Sequence, residues 1–136
     1  MQLPEIGQTA SRTKHIADED IRTFAALSGD TNSVHLDEEA ARQSIFGQRV
    51  AHGMLTASLI SAVLGCDLPG PGAIYLGQNL AFKAPVFIGD AVTASVEVTA
   101  IREDKGIVTL KTQCVNQDGK LVIDGEATVL VPKDSA

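Results

Sequence analysis

Arg49-Val50-Ala51-His52-Gly53-Met54-Leu55-Thr56-Ala57-Ser58-Leu59-Ile60-Ser61-Ala62-Val63-Leu64-Gly65 is the stretch that decides how this chain folds. No charge falls between Arg49 and Asp67; the polar side chains inside are one imidazole and small hydroxyls, and apolar residues occupy every side of a 3.6-residue period. A helix apolar all round is a buried helix. A membrane span needs about 20 predominantly apolar residues, and this run is shorter and interrupted by His52, Thr56, Ser58 and Ser61. The reading is therefore the core helix of a soluble domain, wrapped by the rest of the chain. Its first turn holds a His and a Gly where helices expose backbone N–H groups without intrahelical acceptors. That end is the first candidate for a site.

The 136 residues fit one domain, 1–136, large enough to bury a core. A formal net charge of -6 argues against a nucleic-acid partner, because binding phosphate backbones requires a basic face. Cys66 and Cys114 sit in apolar contexts without CxxC or Cys/His ligand spacing, so buried free thiols are expected and a metal site is not. The opening Met1-Gln2-Leu3-Pro4-Glu5 lacks the basic start and apolar run of a signal peptide, which leads to a cytoplasmic expectation.

Leu3 to Thr13 reads as a lead-in or short edge strand, and His15 as a surface residue. Asp18-Glu19-Asp20 then opens an amphipathic helix with Ile21, Phe24, Ala25 and Leu27 toward one face and Gly29 as its C-terminal cap. The cluster Gly29 to Asp37 is rich in turn formers and precedes a short helix, Glu38 to Arg42, capped at Asp37. Two readings of that cluster stand side by side. Its Asp and Asn can simply make side-chain turns around a solvated His, or Asp30, Asn32 and His35 together can serve acid/base chemistry on a small substrate.

Beyond the central helix, Gly65 and Pro69-Gly70-Pro71-Gly72 break the helical pattern and the period changes to two. Ile74, Leu76, Leu80 and Phe82 alternate with polar or small residues, as do Val92, Ala94, Val96, Val98 and Ala100. Gly106 to Asn116 and Lys120 to Val131 complete a set of strands, with hairpin signals at Asp104-Lys105-Gly106 and Asn116-Gln117-Asp118-Gly119. An antiparallel meander curled around one helix is the economical packing, an α+β architecture.

Three runs carry a resemblance: Ser28-Gly29-Asp30-Thr31-Asn32-Ser33-Val34-His35-Leu36-Asp37, Val50-Ala51-His52-Gly53-Met54, and Tyr75 to Val86 followed by Gly89-Asp90. In order and spacing they resemble the MaoC-like (R)-specific enoyl-CoA hydratases, most closely the short bacterial ones that feed polyhydroxyalkanoate synthesis. The resemblance implies a hot-dog fold, an antiparallel sheet around a long helix, and a homodimer acting on an acyl-CoA thioester. It implies no cofactor, since CoA is part of the substrate, while the charge, the cysteine spacing and the interrupted apolar run already argue against nucleic-acid, metal and membrane partners.

The family pattern Asp-x-Asn-x-x-His falls on Asp30, Asn32 and His35, with Ser33 where relatives often have Pro. The implied roles are Asp30 and His35 as the acid/base pair on one water, and Gly53 as the oxyanion donor. For Gly53 the physics agrees: its N–H lies at the positive end of the helix dipole with no side chain to obstruct approach. His52 has three open roles: positioning the turn, lining the entrance, or packing alone. Ser61 matches a family Ser bonded to the catalytic carboxylate, although a lone Ser in a buried helix more often bonds a carbonyl four residues back. Leu64 and its neighbours, with Val129, are expected to limit acyl-chain length, and Lys83, Arg102, Lys105 and Lys111 are either contacts for the CoA phosphates or simply solvated charges. Two rivals remain: a hot-dog acyl-CoA thioesterase and a non-catalytic acyl-CoA-binding subunit.

Overall fold

A computed structural model describes residues 1–133. Strand β1 (Thr9–His15) leads into helix α1 (Asp18–Ser28), two short helices α2 (Ser33–Leu36) and α3 (Glu38–Arg42), and the apolar helix α4 (Gly53–Cys66). Four strands follow: β2 (Ile74–Phe82), β3 (Ala91–Arg102), β4 (Ile107–Val115) and β5 (Leu121–Leu130). α4 packs on one face of the sheet, touching β1, β2, β3 and β4. Leu55, Ala57, Ile60, Val63 and Leu64 of α4 join Val92, Ala94, Val96 and Val98 of β3 and Val108 and Leu110 of β4 in one continuous core. Burying such a side chain contributes about 1.5–3 kcal/mol, which explains why a helix without a polar stripe sits at the centre.

All strands pair antiparallel in the order β1-β3-β4-β5-β2. This corrects the simple meander: only β3, β4 and β5 follow one another, while β2 pairs with β5 and β1 with β3. The segment between β2 and β3 is too long for a tight hairpin; it crosses the molecule and pairs Phe87 with Val50, which delivers β3 beside β1. β2 is left at one edge with Ile74, Tyr75, Leu76 and Phe82 exposed.

The helix signals before α4 are borne out with two changes. Gly29 ends α1 in a left-handed conformation (φ 81°) and donates to Ala25, and Asp37 caps α3 by accepting from Glu39 and Ala40. Leu27, however, is 83% exposed. Six residues past Ile21, a helix has turned about 240° away from the buried face. The turn-rich cluster also contains a helix of one turn, α2, whose N-cap is Asn32. His15 is exposed, as expected for a surface residue, and Cys114 is buried while Cys66 is exposed.

Candidate active site

The site is built where α2 faces the first turn of α4. Asp30 lies between α1 and α2, and its Oδ1 accepts from the Asn32 backbone N–H at 3.2 Å. The Asn32 side chain in turn accepts from Val34 N–H at 3.2 Å. These two Asx contacts fold six residues tightly enough to bring Asp30 and His35 together. Asn32 therefore shapes the loop through its Oδ1.

His35 is half-buried, and its Nδ1 lies 2.8 Å from the Val50 carbonyl. A carbonyl only accepts, so Nδ1 carries the hydrogen, which leaves Nε2 as the ring nitrogen available to a substrate or water. His52 is 2% exposed. It stacks on His35 with ring centroids 3.9 Å apart, and its Nε2–H donates to the Asp30 backbone carbonyl at 2.9 Å. His52 thus contacts both Asp30 and His35 and also borders the cavity between them. Among the described residues its Nδ1 is buried without a partner, as is Thr56 Oγ1.

A carboxylate oxygen of Asp30 and one ring nitrogen each of His35 and His52 lie within 4.8 Å of one another. Proximity alone makes this trio a possible metal-ligand set. Yet one nitrogen of each ring already donates to a carbonyl, and stacked rings send their in-plane lone pairs side by side, which suits a converging coordination shell poorly.

A cavity of 620 Å³ joins Asp30, Asn32 and His35 to Gly53, Phe82, Lys83 and Val86. Among the described residues the Gly53 N–H has no acceptor. It sits at the positive end of α4, and the Phe82 ring lies directly over its Cα: a Cβ there would come 2.7 Å from Phe82 Cε1. The cavity thus combines a carboxylate, an imidazole whose Nε2 is unengaged among the described residues and an unsatisfied amide donor on apolar walls. That set can deprotonate a water, pass a proton on and stabilise an oxyanion.

The family model described as MaoC like domain matches residues 2–120. The chain belongs to the MaoC-like domain family. It is 57% identical over 126 residues to an (R)-specific enoyl-CoA hydratase of Rhodospirillum rubrum, covering 93% of this chain and 87% of that one. A second (R)-specific enoyl-CoA hydratase, from Aeromonas caviae, is 53% identical over 131 residues, covering 96% and 98%. The solved structure described as the (R)-hydratase from A. caviae involved in PHA biosynthesis superposes with a TM-score of 0.93 at 52% identity, covering 97% of this chain and all of that one. The α+β arrangement is accordingly the hot-dog fold.

On this MaoC-like scaffold the remaining candidates lie in different places. Ser61 is exposed and is not brought to Asp30; it lines a second cavity of 560 Å³ with Phe24, Met54, Tyr75 and Leu76. The reason is distance along the helix, because eight residues beyond Gly53 is about 12 Å of rise. Leu64 and Val129 are buried in the core and line neither cavity. Of the basic candidates, only Lys83 borders the first cavity, and Arg102 is engaged with Asp104 at 3.3 Å.

Two residues at the site escaped sequence reasoning. Met54 walls both cavities, and Arg49 is buried directly behind His35. The signal for Arg49 was present: it is the single charge at the border of the apolar stretch.

Proposed function

We propose that the chain is an (R)-specific enoyl-CoA hydratase, adding water reversibly across trans-2-enoyl-CoA to give (R)-3-hydroxyacyl-CoA. The observation that carries this is the meeting, in one cavity, of the Asp30 carboxylate, the His35 ring with its Nε2 free, and the unpaired Gly53 N–H. Water held between Asp30 and His35 gives up a proton as its oxygen attacks C3. The pair returns a proton to C2, while the Gly53 N–H receives the charge that builds on the thioester oxygen. Asp30 and His35 come from one loop, so oxygen and proton reach the same face of the double bond and addition is syn. Lys83, at the cavity rim, suits a CoA phosphate.

Acid/base groups of the chain suffice for this chemistry, so we assign no separate cofactor, and chelators should leave activity intact. No described helix is long and apolar enough to cross a membrane, and we assign the enzyme to the cytoplasm. The apolar edge strand β2 supports a homodimer that pairs this edge across a two-fold axis. A monomer with full activity at micromolar concentration in sedimentation would contradict that assembly.

The test of function is crotonyl-CoA with purified protein. Hydration removes the enoyl absorbance without releasing free thiol, and the product is oxidised by an (R)-specific 3-hydroxyacyl-CoA dehydrogenase. Thiol release would indicate a thioesterase, no change a binding subunit, and an (S) product a different substrate face; each overturns the reading.

A further inference from the structure

Arg49 is the one buried cation among the described residues, its side chain 7% exposed. A guanidinium taken out of water requires partners, and those it has lead to the reacting pair. Its Nε donates to the backbone carbonyl of His35 at 2.7 Å, and its Nη2 to Asp18 Oδ1 at 2.5 Å. The next residue completes the grip. Val50 N–H donates to the Val34 carbonyl at 3.3 Å, and the Val50 carbonyl accepts from His35 Nδ1 at 2.8 Å. His35 is thus held by its backbone and its ring from the same two-residue segment.

This grip matters because α2 has only four residues. So short a helix does not persist on its own hydrogen bonds, and its last carbonyls have no intrahelical donors. The guanidinium supplies one of those donors. It is itself anchored to α1 through Asp18, a carboxylate that Arg22 also holds at 2.9 Å. Two divergent donors on a rigid planar fork reach His35 and Asp18 together, a geometry that a single ammonium does not reproduce.

We infer that Arg49 is a positioning residue for the hydration: by bridging the His35 carbonyl to Asp18 it fixes α2 so that the free His35 Nε2 faces the bound water. The inference rests on the hydratase reading for its kinetic consequence, but the placement of the His35 ring can be measured without activity.

The test compares Arg49→Met, Arg49→Lys and, as a control that touches Asp18 but not His35, Arg22→Met. Three quantities are read in each: kcat and KM for crotonyl-CoA, Tm, and the imidazole Nδ1–H proton resonance of His35, assigned by its loss in His35→Gln. A displacement of about 1 Å costs up to about 100-fold in turnover. Arg49→Met should therefore lower kcat by about 30-fold with KM within threefold, and the His35 Nδ1–H signal should exchange out. Arg49→Lys should lose about tenfold, and Arg22→Met should shift Tm while leaving kcat within twofold. In Arg49→Ala, added methylguanidinium should restore part of kcat and methylammonium should not.

Arg49→Lys or Arg49→Met with kcat within twofold per folded enzyme, whatever the Tm, would overturn the inference. If Arg49→Met and Arg49→Ala do not fold, Arg49→Lys alone decides by the same criteria. If the parent chain fails to hydrate crotonyl-CoA, the functional reading falls instead. The resonance then decides the positioning role, and its persistence in the Arg49 variants overturns it.

Discussion

The two halves of the site are held in opposite ways. Asp30 is exposed on a turn maintained by individual hydrogen bonds with Asn32, Val50 and Arg49. Gly53 belongs to a helix whose next turns carry Leu55, Ala57 and Ile60 into the core, where packing is the main hold on it. A polar turn can be loosened by deleting one atom that makes a directed contact. A packed helix tolerates such deletions, but it cannot move aside when something is added to it. Substitutions in the first half should therefore act by loss and in the second by obstruction.

The largest effect should come from the turn. Asp30→Asn keeps the shape and removes the proton acceptor, and His35→Ala removes its partner; each should lower turnover by at least about 100-fold. Both groups act on one water, so the double variant should be little worse than either single one in steady-state assays. Multiplicative losses would show that they act on separate steps.

Next is Gly53→Ala, which tests obstruction. The added methyl meets the Phe82 ring at 2.7 Å, and that ring is the end of a side chain that is 54% exposed in the single chain and can rotate away. Gly53 has an ordinary negative φ, and Gly→Ala at such a position stabilises by about 0.4–1 kcal/mol through the unfolded chain, so Tm should hold or rise while kcat/KM falls about 10- to 100-fold. Adding Phe82→Ala should recover part of the loss. A fall in Tm parallel to the loss of activity would mean that the helix end is not rigid and would erase the contrast between the halves.

Asn32→Ala should do least. It removes the N-cap of α2 at a cost of about 1 kcal/mol and leaves Asp30 and His35 chemically intact. Turnover should fall roughly tenfold or less, with a proportionally larger change if the grip of Arg49 is also absent. Independence of the two would break the picture of one cooperative turn.

What the sequence disclosed follows the same division. α4 was legible because seventeen residues without a charge have few places to go except a core, and Gly29 and Asp37 announced helix ends by local chemistry. Asp30, Asn32, His35 and Gly53 were legible through spacing and resemblance, and they do meet in one cavity. Strand order was not legible, since pairing β1 with β3 and β2 with β5 depends on where a crossing segment travels, which period two does not encode. The roles of Arg49 and His52 depend on contacts 14 and 22 residues apart. Ser61 and Leu64 lie outside that cavity in the single chain, since residue type alone does not fix a residue's height along a helix or the wall it joins.

The strand order also governs how the chain acquires its site in time. β3, β4 and β5 are joined by hairpins in which Arg102 meets Ile107 and Val115 meets Leu121, whereas the two edges require Thr9 to find Glu97 and Ile74 to find Leu130. Distant pairings lose loop entropy before their contacts reward it, so the central hairpins should assemble first and the edges dock late. Leu110→Ala in β4 should then slow folding, while Leu80→Ala in β2 should chiefly hasten unfolding. Phe82 and Lys83 arrive with that last edge. A refolding chain should accordingly bury most of its core before it catalyses anything, with activity lagging behind compaction.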